Sequence, residues 1–197
     1  MVTRRWRPEQ LDALERGLVE AARRPGSSLP ESPFGTTDDG LADYRGATLR
    51  RPVRYLQVTG ADFSRVRFED GASMNESELT GCVLDGIDLR GRFVTRRFTD
   101  CSFVAARLSR ARLVGVFTDC DFTGATLTGS VASGARFERC VFTGASLRSI
   151  QWTMRCVFDH CVFDGVGALS GSLAGSVFIG TEPEDLSGCV TDHVRRA

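Results

Sequence analysis

The chain has 197 residues with 25 basic and 25 acidic side chains, so its formal net charge is zero, and 42% of its residues are hydrophobic. That size and balance describe one soluble domain with appendages, long enough to bury a core. No run of 18 or more apolar residues occurs, which argues against a membrane-spanning helix. Arg4, Arg5 and Arg7 are followed by Glu9, Gln10 and Asp12 in place of an apolar stretch, which argues against a secretory signal.

The first predicted element is an amphipathic helix within residues 1–24. Pro8 suits a first helical turn, Leu11, Leu14, Leu18 and Ala22 recur at helical spacing, and Pro25-Gly26 stops the run. Such a helix either docks on an open end or side of the remaining chain, or serves as a dimerisation or partner helix. Residues 25–41, rich in Ser, Pro, Gly and Thr, read as a flexible connector.

From residue 42 to 180 one phrase recurs in fives. Ala61-Asp62-Phe63, Cys101-Ser102-Phe103, Ala111-Arg112-Leu113, Cys120-Asp121-Phe122, Ala125-Thr126-Leu127, Cys140-Val141-Phe142 and Cys161-Val162-Phe163 all place a small residue, an outward residue and a large apolar centre in a row. A period of five fits neither a helix nor a continuous strand, so the chain must turn between repeats. Gly often stands two places after a centre, as at Gly124 and Gly144, where a positive φ is needed. Four short extended pieces then make one square coil with centres and small residues inward, and the coils stack.

The phrase resembles the pentapeptide-repeat family over about residues 42–180. The resemblance implies an all-β solenoid, a right-handed quadrilateral parallel β-helix, here with an N-terminal α-helix and a short C-terminal cap. Following the centres by hand predicts six coils. One face stacks Phe63, Leu84, Phe103, Phe122, Phe142 and Phe163; another stacks Met74, Phe93, Leu113, Ala132, Trp152 and Leu173, with the small Ala132 under the large Trp152. Ala168 is a further predicted centre. Tyr44, Leu49, Val53 and Val58 suggest a degenerate seventh coil that Pro52 weakens. One residue too many stands between Phe68 and Leu79 and between Trp152 and Phe158, whereas Leu89 to Phe93 and Leu113 to Phe117 are one short. In the tail, 181–197, Leu186, Cys189, Val190, His193 and Val194 lie at helical spacing, consistent with a cap or a dimerisation element.

Candidate chemistry is sparse. Six of the seven cysteines, Cys82, Cys101, Cys120, Cys140, Cys156 and Cys161, fall in the small inward slot, which predicts buried, reduced thiols and a cytoplasmic protein. The chain has two histidines, His160 and His193, and no lysine. Asp159, His160 and Cys161 are adjacent, but the first two face outward and the third inward, so they do not form a triad. No catalytic residue, cofactor or metal ligand is assigned, and no enzyme activity is expected.

Surface recognition remains. Over residues 42–180 bases outnumber acids, 17 to 14. Asp100, Asp119, Asp121, Glu138, Asp159 and Asp164 form a candidate acidic strip around the corner between the fourth and first faces. Arg90, Arg92, Arg107, Arg110, Arg112 and Arg148 form a candidate basic face around the second. The best-known members of the resembled family protect DNA gyrase from topoisomerase poisons as DNA mimics. The resemblance therefore implies a protein partner, gyrase first, without direct nucleic-acid or membrane binding, and a homodimer through the C-terminal end. The alternatives are a scaffold or adaptor that uses the Arg-rich face or the N-terminal helix and, disfavoured, an enzyme on a β-helix scaffold.

Overall fold

Each short strand in this chain finds its partner one coil away, because two or three extended residues followed by a turn leave no length for a local hairpin. The computed structural model describes residues 5–24, 29–167 and 169–197 as one N-terminal helix followed by a parallel β-solenoid of about eight turns. The first face runs through parallel partners Asp43, Asp62, Val83, Ser102, Asp121, Val141 and Val162. Counted from that face, the coils begin at residues 42, 61, 82, 101, 120, 140, 161 and 181.

The interior is built from the centres. On the first face Phe103, Phe122, Phe142 and Phe163 stack at ring separations of 4.9, 5.1 and 5.4 Å. On the fourth, Phe98, Phe117, Phe137, Phe158 and Phe178 stack at 5.2, 5.0, 5.4 and 4.9 Å. These spacings follow from layers about 4.8 Å apart that carry the same side chain in the same rotamer. Trp152 pairs with Ala132 in the layer below, as the size match requires, and its indole Nε1 donates to Ser130 Oγ at 2.9 Å.

Several sequence expectations change. Phe93 is not an interior centre: it is 44% exposed, and Val94 is buried and paired with Leu113. Leu89 to Val94 is thus a regular step, and the missing residue lies between Val94 and Phe98. The same deletion occurs between Leu113 and Phe117, so in both coils the third and fourth faces merge into seven-residue strands, Phe93–Thr99 and Arg112–Thr118. Where they merge the backbones come very close. A Cβ on Gly115 would lie 2.4 Å from the Arg96 carbonyl oxygen, which explains why a side chain is missing there.

The coil count also rises from six. Tyr44, Leu49, Val53 and Val58 are all buried and form a full first coil, in which Pro52 still pairs with Ser73. Proline is accepted because the other edge of this coil is the end of the sheet. At the opposite end the tail is not helical. Cys189–Val190 pairs with Gly171–Ser172, and Arg195–Arg196 with Val177–Phe178, so pairing continues past residue 180. Arg196 occupies the position of a centre above Phe178 and binds Glu182 at 2.7 Å, giving the last layer a polar finish.

The helix Pro8–Arg23 covers the first coil. Leu14 and Leu18 are buried, and the fully buried Glu15 accepts from the backbone N–H groups of Arg50 and Arg51 and pairs with the Arg50 guanidinium at 3.0 Å. A buried carboxylate is tolerable when it gains this many donors. Residues 29–41 are anchored as well. Tyr44 donates its hydroxyl to the Pro30 carbonyl, Thr36 bridges to Ala42, and Phe34 meets Trp6 edge to face at 4.9 Å. Pro25 to Ser28, part of the predicted connector, and the predicted centre Ala168 lie outside the described residues, as does Arg4. Asp43 ties the segments together. Burial alone would raise its pKa, but hydrogen bonds from Arg5 and Arg45 outweigh that and hold it well below the ordinary carboxylate range.

Cys82, Cys101, Cys120, Cys140, Cys156 and Cys161 are buried with free thiols, whereas Cys189 is half-buried. The Cys140 thiol donates to the Phe117 carbonyl at 3.2 Å and that of Cys161 to Phe137 at 3.4 Å. Burial raises the Cys140 pKa and pushes that of Cys156 up to about 11. Thiolate, the reactive form, is therefore scarce at these two positions. Native protein treated with a thiol reagent should be labelled first at Cys189, with the six interior cysteines following only on denaturation. Rapid native labelling of Cys101 or Cys120 would contradict the inward register.

Candidate interaction surfaces

Two residues after each fourth-face centre the chain turns the corner to the first face. That position is held successively by Asp100, Asp119, Arg139 and His160, with φ of 52°, 54°, 51° and 52°. Each backbone N–H there donates to the next coil, for example Asp100 to Thr118 and Asp119 to Glu138, both at 2.9 Å. Polar residues tolerate this left-handed conformation when local hydrogen bonds fix it.

The corner gathers most of the acidic strip but does not leave it bare. Arg139 forks onto Asp119 with two 2.7 Å hydrogen bonds and thereby holds the carboxyl below its usual pKa. Arg136 contacts Glu138 in its own strand and reaches Asp159 in the next coil at 2.9 Å. Asp159 also contacts His160 Nδ1 at 2.7 Å, on the outer surface, while the Cys161 thiol lies buried inside. Asp121 lies on the first face, where Oδ1 accepts from the Thr123 N–H at 2.8 Å. Asp100 and Asp164 are exposed, and among the described residues no basic group lies within ion-pair distance of either. Asp164 stands apart, past the first face at its corner with the second, where its carbonyl accepts from Gly144.

Arg136 and Arg139 are the residues that reading by charge alone missed. The signal was present, because Arg139 follows Phe137 by two residues as Asp119 follows Phe117.

The predicted basic residues divide into four settings. Arg90 and Arg107 both contact Asp88, at 2.7 and 3.5 Å. Arg92 fills a small-residue slot and donates to the carbonyls of Ala72, Phe68 and Glu69, at 2.5, 2.8 and 3.2 Å, so it pins the long step between Phe68 and Leu79. Arg112 belongs to the third face, with its guanidinium 5.0 Å from the Phe93 ring centre. Arg110 and Arg148 are exposed at the corner between the second and third faces.

No group of His, Cys, Asp and Glu able to hold a metal ion occurs among the described residues, and no described helix is long and apolar enough to cross a membrane. Residues 120–151 match the family model described as pentapeptide repeats, which is found in eight copies. That segment is built of pentapeptide repeats. Curated proteins yield no match. Among solved structures, a trypsin-treated form of QnrB1, a plasmid-mediated fluoroquinolone resistance protein, is 15% identical, with coverage of 72% of this chain and 91% of that one and a TM-score of 0.38. Full-length QnrB1 is 18% identical, with 79% and 93% covered and a TM-score of 0.30. HetL, a pentapeptide repeat protein involved in heterocyst differentiation regulation in the cyanobacterium Nostoc sp. strain PCC 7120, is 16% identical, with 80% and 90% covered and a TM-score of 0.21.

Proposed function

We propose that this pentapeptide-repeat chain is a non-catalytic, cytoplasmic rod that acts by binding a protein, and that the partner is DNA gyrase, whose DNA site it occupies as a mimic of the duplex. The observation that supports this reading is the corner between the fourth and first faces. There Asp100, Asp119, Glu138 and Asp159 stand in successive layers about 4.8 Å apart, with Asp121 beside them. A basic saddle built for phosphates would be attracted to such a row. The last coil, with Val190 52% exposed, offers an end against which a second copy could pair.

Arg136 and Arg139 oppose the mimicry by neutralising three of the acids, and this supplies the test. In a direct binding measurement with purified gyrase, Arg139→Ala should bind more tightly than wild type because it unmasks Asp119. Added salt should weaken both interactions, since exposed charges are screened over about 10 Å at 0.1 M ionic strength. Weaker binding by Arg139→Ala would argue that the corner is read through its arginine instead.

A further inference from the structure

We infer that the third face of coils three to six docks an acidic protein segment carrying large apolar side chains. Four of the seven large apolar side chains exposed on the described surface lie there: Phe93, Val114, Val131 and Met154, at 44, 43, 38 and 72%. They are contiguous. Phe93, Arg112, Val131 and Gln151 form one outward row through consecutive layers, and Val114 stands two residues along the strand from Arg112. Met154 closes the patch, its sulfur 3.2 Å from Ser133 Oγ.

The charges around this patch are mostly positive: the bordering acids, Glu76 and Glu78, stand one coil below it beside Thr95 and Arg97, and Arg96 pairs with Glu78 at 3.0 Å. No outward position of the face from Phe93 to Thr153 carries a carboxylate. Arg110 and Arg148 flank it at one corner, Arg97 and Arg155 stand toward the other, and Arg112 lies at its centre. Among the described residues none of these five has a carboxylate within ion-pair distance. Other arginines of the rod are matched, as Arg90 is to Asp88 and Arg139 to Asp119. An apolar patch ringed by unmatched guanidinium groups is complementary to apolar side chains interspersed with carboxylates.

A protein segment suits this surface better than a nucleic acid. Stacking platforms for bases are aromatic, whereas three of the four apolar side chains here are aliphatic or thioether, and the one ring, Phe93, has Arg112 over it. The segment must lie across the side chains, because the strand edges of these coils are already paired above and below.

The test is fluorescence anisotropy with a short labelled peptide in which Glu alternates with Leu and Phe, set against oligoglutamate and a single-stranded DNA oligonucleotide of equal length. Wild type should bind the mixed peptide more tightly than either control. The pairs Val114→Asp with Val131→Asp, and Arg110→Glu with Arg112→Glu, should each weaken that binding about tenfold or more with the urea midpoint unchanged. Reversing Asp100 and Asp119 should leave it unaltered, which separates this surface from the gyrase reading. The inference is overturned if wild type does not bind the mixed peptide, if oligoglutamate binds equally well, if the DNA binds more tightly, or if stably folded variants of both pairs bind like wild type.

Discussion

Phe122→Ala should lower stability by about 3 to 5 kcal/mol, the combined loss of transfer energy and creation of a cavity. Phe122 is fully buried, stacked between Phe103 and Phe142, and touched edge-on by Phe117 and Phe137. Neighbouring layers are held by their own hydrogen-bond ladders and cannot collapse into the void. Phe93→Ala, by contrast, should cost about 1 kcal/mol or less, because that ring is half in solvent and its main neighbour is the Arg112 guanidinium. Urea unfolding followed by circular dichroism distinguishes the two. Equal losses would mean that Phe93 points inward and that the third face is displaced by one residue.

The largest functional effect is expected from reversing Asp100, Asp119 and Asp121 to Arg together, which should abolish inhibition of gyrase while the fold persists. The corner accepts arginine, because Arg139 already occupies the equivalent position with φ 51°. Asp121 gives up only one hydrogen bond, to the Thr123 N–H, and all three side chains lie outside the interior. Asp119→Arg also sets a second guanidinium beside Arg139, a repulsion that solvent screens. Retained inhibition by the folded triple variant would remove this corner from the interface. Reversing Arg107, Arg110 and Arg112 to Glu should preserve or strengthen a DNA-mimic interaction.

Much of this architecture was legible because one residue pattern repeats so often that single ambiguities average out. The inward cysteines, the Phe stacks and the Ala132–Trp152 match all follow from the phrase of small, outward and large residues. Reading failed where two apolar residues are adjacent. Phe93 and Val94 compete for one inward slot, and size favours Phe93 although the unbroken step of five from Leu89 leads to Val94. The tail misled for a related reason: Leu186, Cys189, Val190 and Val194 fit a helical period, but the open edges of Gly171–Ser172 and Val177–Phe178 offer hydrogen bonds that a short helix would leave unmade. The N-terminal connector looked free by composition, and only tertiary contacts at Pro30, Ser32 and Phe34 fix it. The acidic strip was legible as a cluster but not as a potential, because the arginines that neutralise it come from other layers.

Gyrase supercoiling in the presence of micromolar wild-type protein, with and without a quinolone, tests the central functional claim most directly. The protein alone should slow supercoiling and, with the drug present, should reduce quinolone-stabilised cleavage. Unchanged supercoiling and unchanged cleavage, with no detectable binding to gyrase, would contradict that claim.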